Sequence, residues 1–123
     1  MVKILHFANA IDGEIRGLER SLALCKSQFE GVEATTVAVE NLSKVPDSEL
    51  GRTSYDFIAL DFDKDLFVRR HVELIKRYFP KAEIIGYSNG WTEKEKGDLM
   101  KDLGIRFASG SPAAIFDYVR RRK

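Results

Sequence analysis

The chain has 123 residues, 44% of them apolar, which is enough for one domain that buries roughly two thirds of the surface its unfolded form exposes. Twenty basic residues against nineteen acidic ones leave a formal charge of +1, which argues against a general electrostatic grip on nucleic acid. A lone cysteine, Cys25, excludes an internal disulfide. With no basic-then-apolar leader and no apolar segment near the roughly 20 residues that span a bilayer, a soluble cytoplasmic protein with no membrane partner is expected.

Ile4-Leu5-His6-Phe7-Ala8 reads as a first strand. Ile15, Leu18, Leu22, Cys25 and Phe29 then recur at spacings of three and four, the signature of one helix face. Thr35 to Val39 is β-branched and partly polar, a less buried second strand, and the segment around Pro46-Asp47-Ser48-Glu49-Leu50 holds only a short helix. Phe57 to Leu60 forms a third strand. The rows Phe67-His71-Leu74-Tyr78 and Val68-Val72-Ile75-Phe79 predict a well-covered helix, which Pro80 ends by removing a backbone donor. Ile84-Ile85-Gly86-Tyr87 is a fourth strand. Thr92 and Glu95 make a capping box for a helix with Leu99, Met100 and Leu103 on its apolar side, closed by Gly104. Ile105-Arg106-Phe107-Ala108 reads as an edge strand, and Ser111-Pro112 is a cap and first-turn proline for a last helix carrying Ile115, Tyr118 and Val119. The basic run Arg120-Arg121-Arg122-Lys123 complements the negative dipole end of that helix.

Five alternations of strand and helix require right-handed crossovers and a parallel sheet with helices on both faces. Strands one, three and four are continuously apolar and therefore central, whereas two and five carry polar residues and lie at the edges. The expected fold is a flavodoxin-like α/β three-layer sandwich, five parallel strands in the order 2-1-3-4-5, formed by residues 1–123 as a single domain.

In such a sheet the pocket lies beyond the carboxyl ends of the strands, near the point where strand order reverses. The run Tyr55-Asp56-Phe57-Ile58-Ala59-Leu60-Asp61-Phe62-Asp63 delivers carboxylates to that place. The topology gathers Asn9, Asp61, Ser88 and Ser111 there, with Asp12 and Asp63 on neighbouring loops. This arrangement resembles the receiver domain of two-component response regulators, and the resemblance covers essentially the whole chain. It implies that Asp61, five residues after Asp56, stands in the phosphoacceptor position and that Ser88 matches the hydroxyl residue that senses the phosphoryl group. Gly104 through Pro112 is similar to the family's stretch around strand five.

The chain departs from that pattern where the chemistry lies. The acidic pair that ends strand one in the family and helps hold magnesium falls on Ala8 and Asn9, and the lysine before the strand-five proline is replaced by Ser111. An ungapped comparison puts Ala108 at the aromatic switch position and leaves Phe107 one residue away. Phosphoryl transfer rests on positioning and on charge neutralisation by cations, so the expectation is a stand-alone pseudo-receiver. It would act in signal transduction through protein–protein interaction, with no catalysis and no cofactor. Asp61 then also reads as a carboxylate that merely accepts backbone or hydroxyl hydrogen bonds.

Two rival expectations remain. A phosphorylatable regulator would recruit magnesium through Asp12, Asp61 and Asp63, although Asp12 is also a natural cap for the first helix and Asp63 a solvated loop carboxylate. A small phosphatase would use Asp61 and Asp63 as in haloacid-dehalogenase-type enzymes, which resemble this motif only when it ends the first strand. A flavin or nucleotide site is disfavoured because Asn9-Ala10-Ile11-Asp12-Gly13-Glu14 offers phosphate one glycine and two carboxylates.

His6 and His71 lack a cluster at ligand spacing and read as satisfied structural histidines, and Cys25 as a small apolar residue on the inward stripe. Trp91, past strand four, reads first as packed on its own domain and second as a partner anchor. The resemblance implies a protein partner or a second copy on the face built from helix four, strand five and helix five, which includes Lys94, Lys96, Lys101, Arg106 and Tyr118.

Overall fold

The computed structural model describes residues 1–11, 14–15, 17–62, 68–88 and 93–122. Its main sheet is built from β1 (Val2–Ala8), β4 (Val32–Ala38), β5 (Phe57–Phe62), β6 (Glu83–Ser88) and β7 (Ala108–Ser109). The spatial order is β4-β1-β5-β6-β7, and all four pairings are parallel. This is the expected 2-1-3-4-5 order once a short antiparallel hairpin, β2 (Ala10–Ile11) with β3 (Glu14–Ile15), is set apart. The helices are α1 (Leu18–Leu24), α2 (Val68–Tyr78), α3 (Glu93–Leu103) and α4 (Pro112–Arg122). A 3₁₀ segment, Val39–Asp47 and then Glu49–Arg52, takes the place of the short second helix.

The period-two alternation of the strands divides two cores. On one face Leu5, Phe7, Ile58 and Leu60 pack with Val72, Ile75 and Phe79 and with Val39, Leu42 and Val45 of the 3₁₀ segment. On the other, Ile4, Phe57, Ala59 and Ile85 meet Leu18 and Leu22 of α1 and Ile115, Phe116 and Val119 of α4. Residues 4–8 and 57–60 are buried without interruption because both faces are covered, whereas β4, at the edge, is mostly half-buried. Among the described residues no helix is long and apolar enough to cross a membrane.

Local chemistry revises the expected element boundaries in several places. Helix one does not begin at Ile15, which pairs with Ala10 in the hairpin; its N-cap is Gly17 and not Asp12. It ends at Leu24, and a 3₁₀ turn over Lys26–Gln28 brings Phe29 back into the same core. Cys25 is half-buried against that core, its thiol donating to Ser21 O at 3.1 Å. Strand five contracts to Ala108–Ser109. The cause is the end of α3, where Gly104 takes φ +71° and donates to Lys101 O at 3.4 Å while Ile105 N–H donates to Met100 O at 2.8 Å, a Schellman closure that removes Ile105 from the sheet. Ser111 caps α4 as expected, accepting Ala114 N–H at 3.4 Å. Phe67 and Thr92 lie outside the described residues.

Gly17 is fixed by close approach rather than by backbone conformation. A Cβ there would sit 2.1 Å from Thr36 Cγ2 of β4. The same contact locks helix to strand, because Glu19 N–H donates to Thr36 Oγ1 and Thr36 N–H donates to the Glu19 carboxylate, both at 3.0 Å. Gly17→Ala is expected to destabilise by about 1–3 kcal/mol in urea denaturation, and a cycle with Thr36→Gly should return a coupling energy because that replacement clears the overlap.

His71 on α2 differs from the satisfied histidine expected, since among the described residues its buried Nδ1 meets no hydrogen-bond partner. Burial, and then the neighbouring Arg70 charge, hold its pKa below the usual 6.5. With the folded value depressed, the unfolded chain takes up the proton first as pH falls. The His71 contribution is therefore intact above about pH 6.5 and is lost on acidification toward the folded value. Comparing urea midpoints at neutral and mildly acidic pH, His71→Gln should lose less stability on acidification than the parent chain.

Candidate functional site

Asp61 lies near the end of β5, in register with Tyr87 of β6, and its side chain is 17% exposed. The residue that organises it is His6, fully buried in β1 two residues before that strand ends. Leu18 N–H, one of the donors that the first turn of α1 leaves without an intrahelical acceptor, donates to His6 Nδ1 at 3.1 Å. That bond assigns the ring proton to Nε2, which donates to Asp61 Oδ1 at 2.5 Å. The second carboxylate oxygen, Oδ2, accepts Asn9 N–H at 2.9 Å. Both oxygens of Asp61 and both nitrogens of His6 are thus engaged inside the protein.

Tyr87 completes the group, its ring centroid 5.3 Å from that of His6 at an interplanar angle of 54°. Burial first, and the Asp61 negative charge second, raise its phenol above the usual 10. The His6–Asp61 pair is arranged to position a carboxylate rather than to move protons. The imidazole lone pair that a general base requires already accepts Leu18 N–H.

The sequence-predicted residues converge only in part. Asn9 does reach Asp61, through its backbone. Ala8, which the sequence resemblance matches to an acidic place, is fully buried, so a carboxylate there would lose its hydration. Ser88 ends β6 opposite Phe62, and its backbone alone is described. Ser111 is exposed, with its hydroxyl on the α4 cap and its N–H donating to Ser109 Oγ at 3.0 Å. Asp12, Asp63 and Trp91 lie outside the described residues. Among those that are described, no group of three or more His, Cys, Asp or Glu side chains is arranged to hold a metal ion.

Near strand five, Phe107 stacks on Tyr118 with centroids 4.2 Å apart and planes 3° from parallel. Tyr118 donates from its hydroxyl to Glu83 at 2.5 Å, and Arg122 meets the other Glu83 oxygen at 3.0 Å. Arg120 and Arg121 also have internal partners: Arg120 donates to Gln28 O at 3.1 Å and lies over the Phe29 ring, while Arg121 pairs with Asp117 at 3.1 Å.

No family model matches the chain, and no curated protein matches it. Solved structures do. A putative pilus assembly protein from Burkholderia thailandensis superposes with a TM-score of 0.64 at 18% identity, over 98% of this chain and 97% of that one. RcsB from Salmonella enterica serovar Typhimurium, solved bound to a promoter in the presence of a phosphomimetic, gives 0.66 at 17%, over 100% and 68%. The N-terminal domain of a Wolinella succinogenes protein gives 0.62 at 18%, over 98% and 93%. These likenesses define a receiver-like, flavodoxin-like fold.

Sequence reasoning missed the bond between His6 and Asp61. Its signal was present, because His6 is separated from Ile4 by one residue and shares that strand face, as Asp61 does with Phe57 and Ala59, and adjacent parallel strands bring such residues together. Replacing Asp61 by Asn removes the charge that disfavours the tyrosinate. The Tyr87 pKa is expected to move down toward 10 in an NMR titration of its ring carbon.

Proposed function

We propose that this chain is a receiver-like signalling domain that works by binding another protein and has no catalytic activity of its own. The single observation that carries the proposal is the double engagement of Asp61. Attack on phosphorus is favoured by an electron-rich carboxylate oxygen and requires cations to absorb the incoming charge. Here His6 and Asn9 donate to the two oxygens, and each hydrogen bond withdraws electron density from the would-be nucleophile. The neighbouring places offer Ala8 and the capping residue Ser111 instead of a carboxylate and a lysine.

The fold likeness supports a signalling context, and RcsB, bound to a promoter, is one protein that uses this architecture. The partner surface proposed is the face of α3, β7 and α4, where Lys94, Lys101 and Arg106 are exposed. Tyr118, half-buried and tied to Glu83, is a rigid aromatic element there rather than a mobile one. The same face would serve a second copy of the chain.

The test is incubation with acetyl phosphate and magnesium followed by intact mass. The chain is expected to stay unmodified, and His6→Ala should not suffice to make it reactive, because the cations are still missing. Stoichiometric gain of one phosphoryl group that disappears in Asp61→Asn would overturn the proposal in favour of a regulator that uses magnesium.

A further inference from the structure

At the end of the sheet away from Asp61, β6 runs beside an opening. Successive residues of a strand direct their backbone groups to opposite neighbours. Glu83 N–H donates to Asp56 O on the β5 side, and Gly86 N–H donates to Phe107 O on the β7 side. Ile84 therefore faces residues 105–107, yet β6 and β7 pair only at Gly86 with Ala108 and at Tyr87 with Ser109. In a longer ladder the acceptor opposite Ile84 N–H would be Ile105 O, but β7 begins only at Ala108. Among the described residues, Ile84 N–H has no acceptor.

A cleft of about 380 Å³ occupies this gap. Its walls include the apolar side chains of Pro80, Ile84, Leu103 and Ile105, with Lys76 and Arg106 also lining it. Glu83 contributes little free negative charge, since its two oxygens meet the Tyr118 hydroxyl and the Arg122 guanidinium. Among the described residues Lys76 touches only a neutral acceptor, Leu103 O at 3.4 Å, and Arg106 has no ion pair. The uncompensated charge of the cleft is therefore positive, and its volume falls in the range of small-molecule sites.

We propose that this cleft binds a small apolar carboxylate. The carboxylate would accept from Ile84 N–H and pair with Lys76 and Arg106, and its hydrocarbon body would lie on the exposed Pro80 and on the edges of Ile84, Leu103 and Ile105 that the core leaves uncovered. An unpaired amide beside two cations gives an anion both a directional donor and charge, while the apolar walls select against a fully hydrated inorganic ion. This site is independent of the reading of Asp61.

The test is titration of the full ¹⁵N-labelled chain with naphthalene-1-acetate, with the neutral naphthalene-1-acetamide as control. Saturable amide shifts centred on Ile84, Ile105 and Arg106 are expected, with the amide at least about tenfold weaker. Lys76→Gln and Arg106→Gln, both at exposed positions, should each weaken binding severalfold while leaving the rest of the spectrum in place. Absence of shifts at millimolar ligand, shifts centred elsewhere, equal binding of acid and amide, or unchanged binding by both variants would each overturn the proposal.

Discussion

His6 Nε2–H and Asn9 N–H hold the Asp61 carboxylate from two sides, and Leu18 N–H holds the imidazole from behind. This line of donors ties α1 to β1, β1 to β5, and the end of β1 back to β5. Hydrogen bonds to a charged group stabilise by about 1.5–3 kcal/mol each, and removing one partner exposes the other to the full cost of burial without compensation. A fully buried histidine at the centre of a core strand is tolerable only because each ring nitrogen has a partner. The carboxylate in turn is fixed by the sheet, since β5 is anchored by Ile58, Ala59 and Leu60, all fully buried. The Asp61 carboxylate is thereby a structural tie between β1 and β5.

The position of α1 follows from the same line. Its first amide is claimed by His6, and Gly17 just before it lies against Thr36 with no room for a side chain. Glu19 and Thr36 then exchange hydrogen bonds across the outer edge strand, using one of the backbone donors that would otherwise face solvent. A short helix of seven residues, marginal on its own, is thereby held by packing and by side-chain caps instead of by propensity.

Strand order, the two-sided burial of β1, β5 and β6, the C-terminal closure of α3 and the N-terminal cap of α4 were legible in the sequence because they rest on short-range patterns: continuous apolar runs, Gly104, and Ser111 with Pro112. The start of α1 was not legible. Ile15, Leu18 and Leu22 fit a helical period, and nothing local reveals that Ile15 pairs with Ala10 across a hairpin. The contraction of strand five was hidden for a related reason, since Ile105 to Ala108 alternates acceptably as a strand. Only the geometry of the α3 cap shows that the Ile105 amide is already taken. Asp61 was found from its place at a strand end. Its partner His6 was classed correctly as satisfied, but through a long-range contact, 55 positions apart in sequence, that single-strand patterns do not contain.

The two ends of the sheet obey one rule with opposite outcomes. A parallel strand offers backbone donors alternately to its two sides, and each must find an acceptor in the protein, in water or in a ligand. At the carboxyl end, the amide of Asn9 meets a carboxylate supplied by the neighbouring strand. At the amino end, the cap of α3 takes Ile105 out of the ladder, and Ile84 is left facing a cleft instead of a strand. The two ends of the sheet therefore differ in which backbone donors are committed. That commitment was decided by a histidine at one end and by a glycine in a left-handed turn at the other.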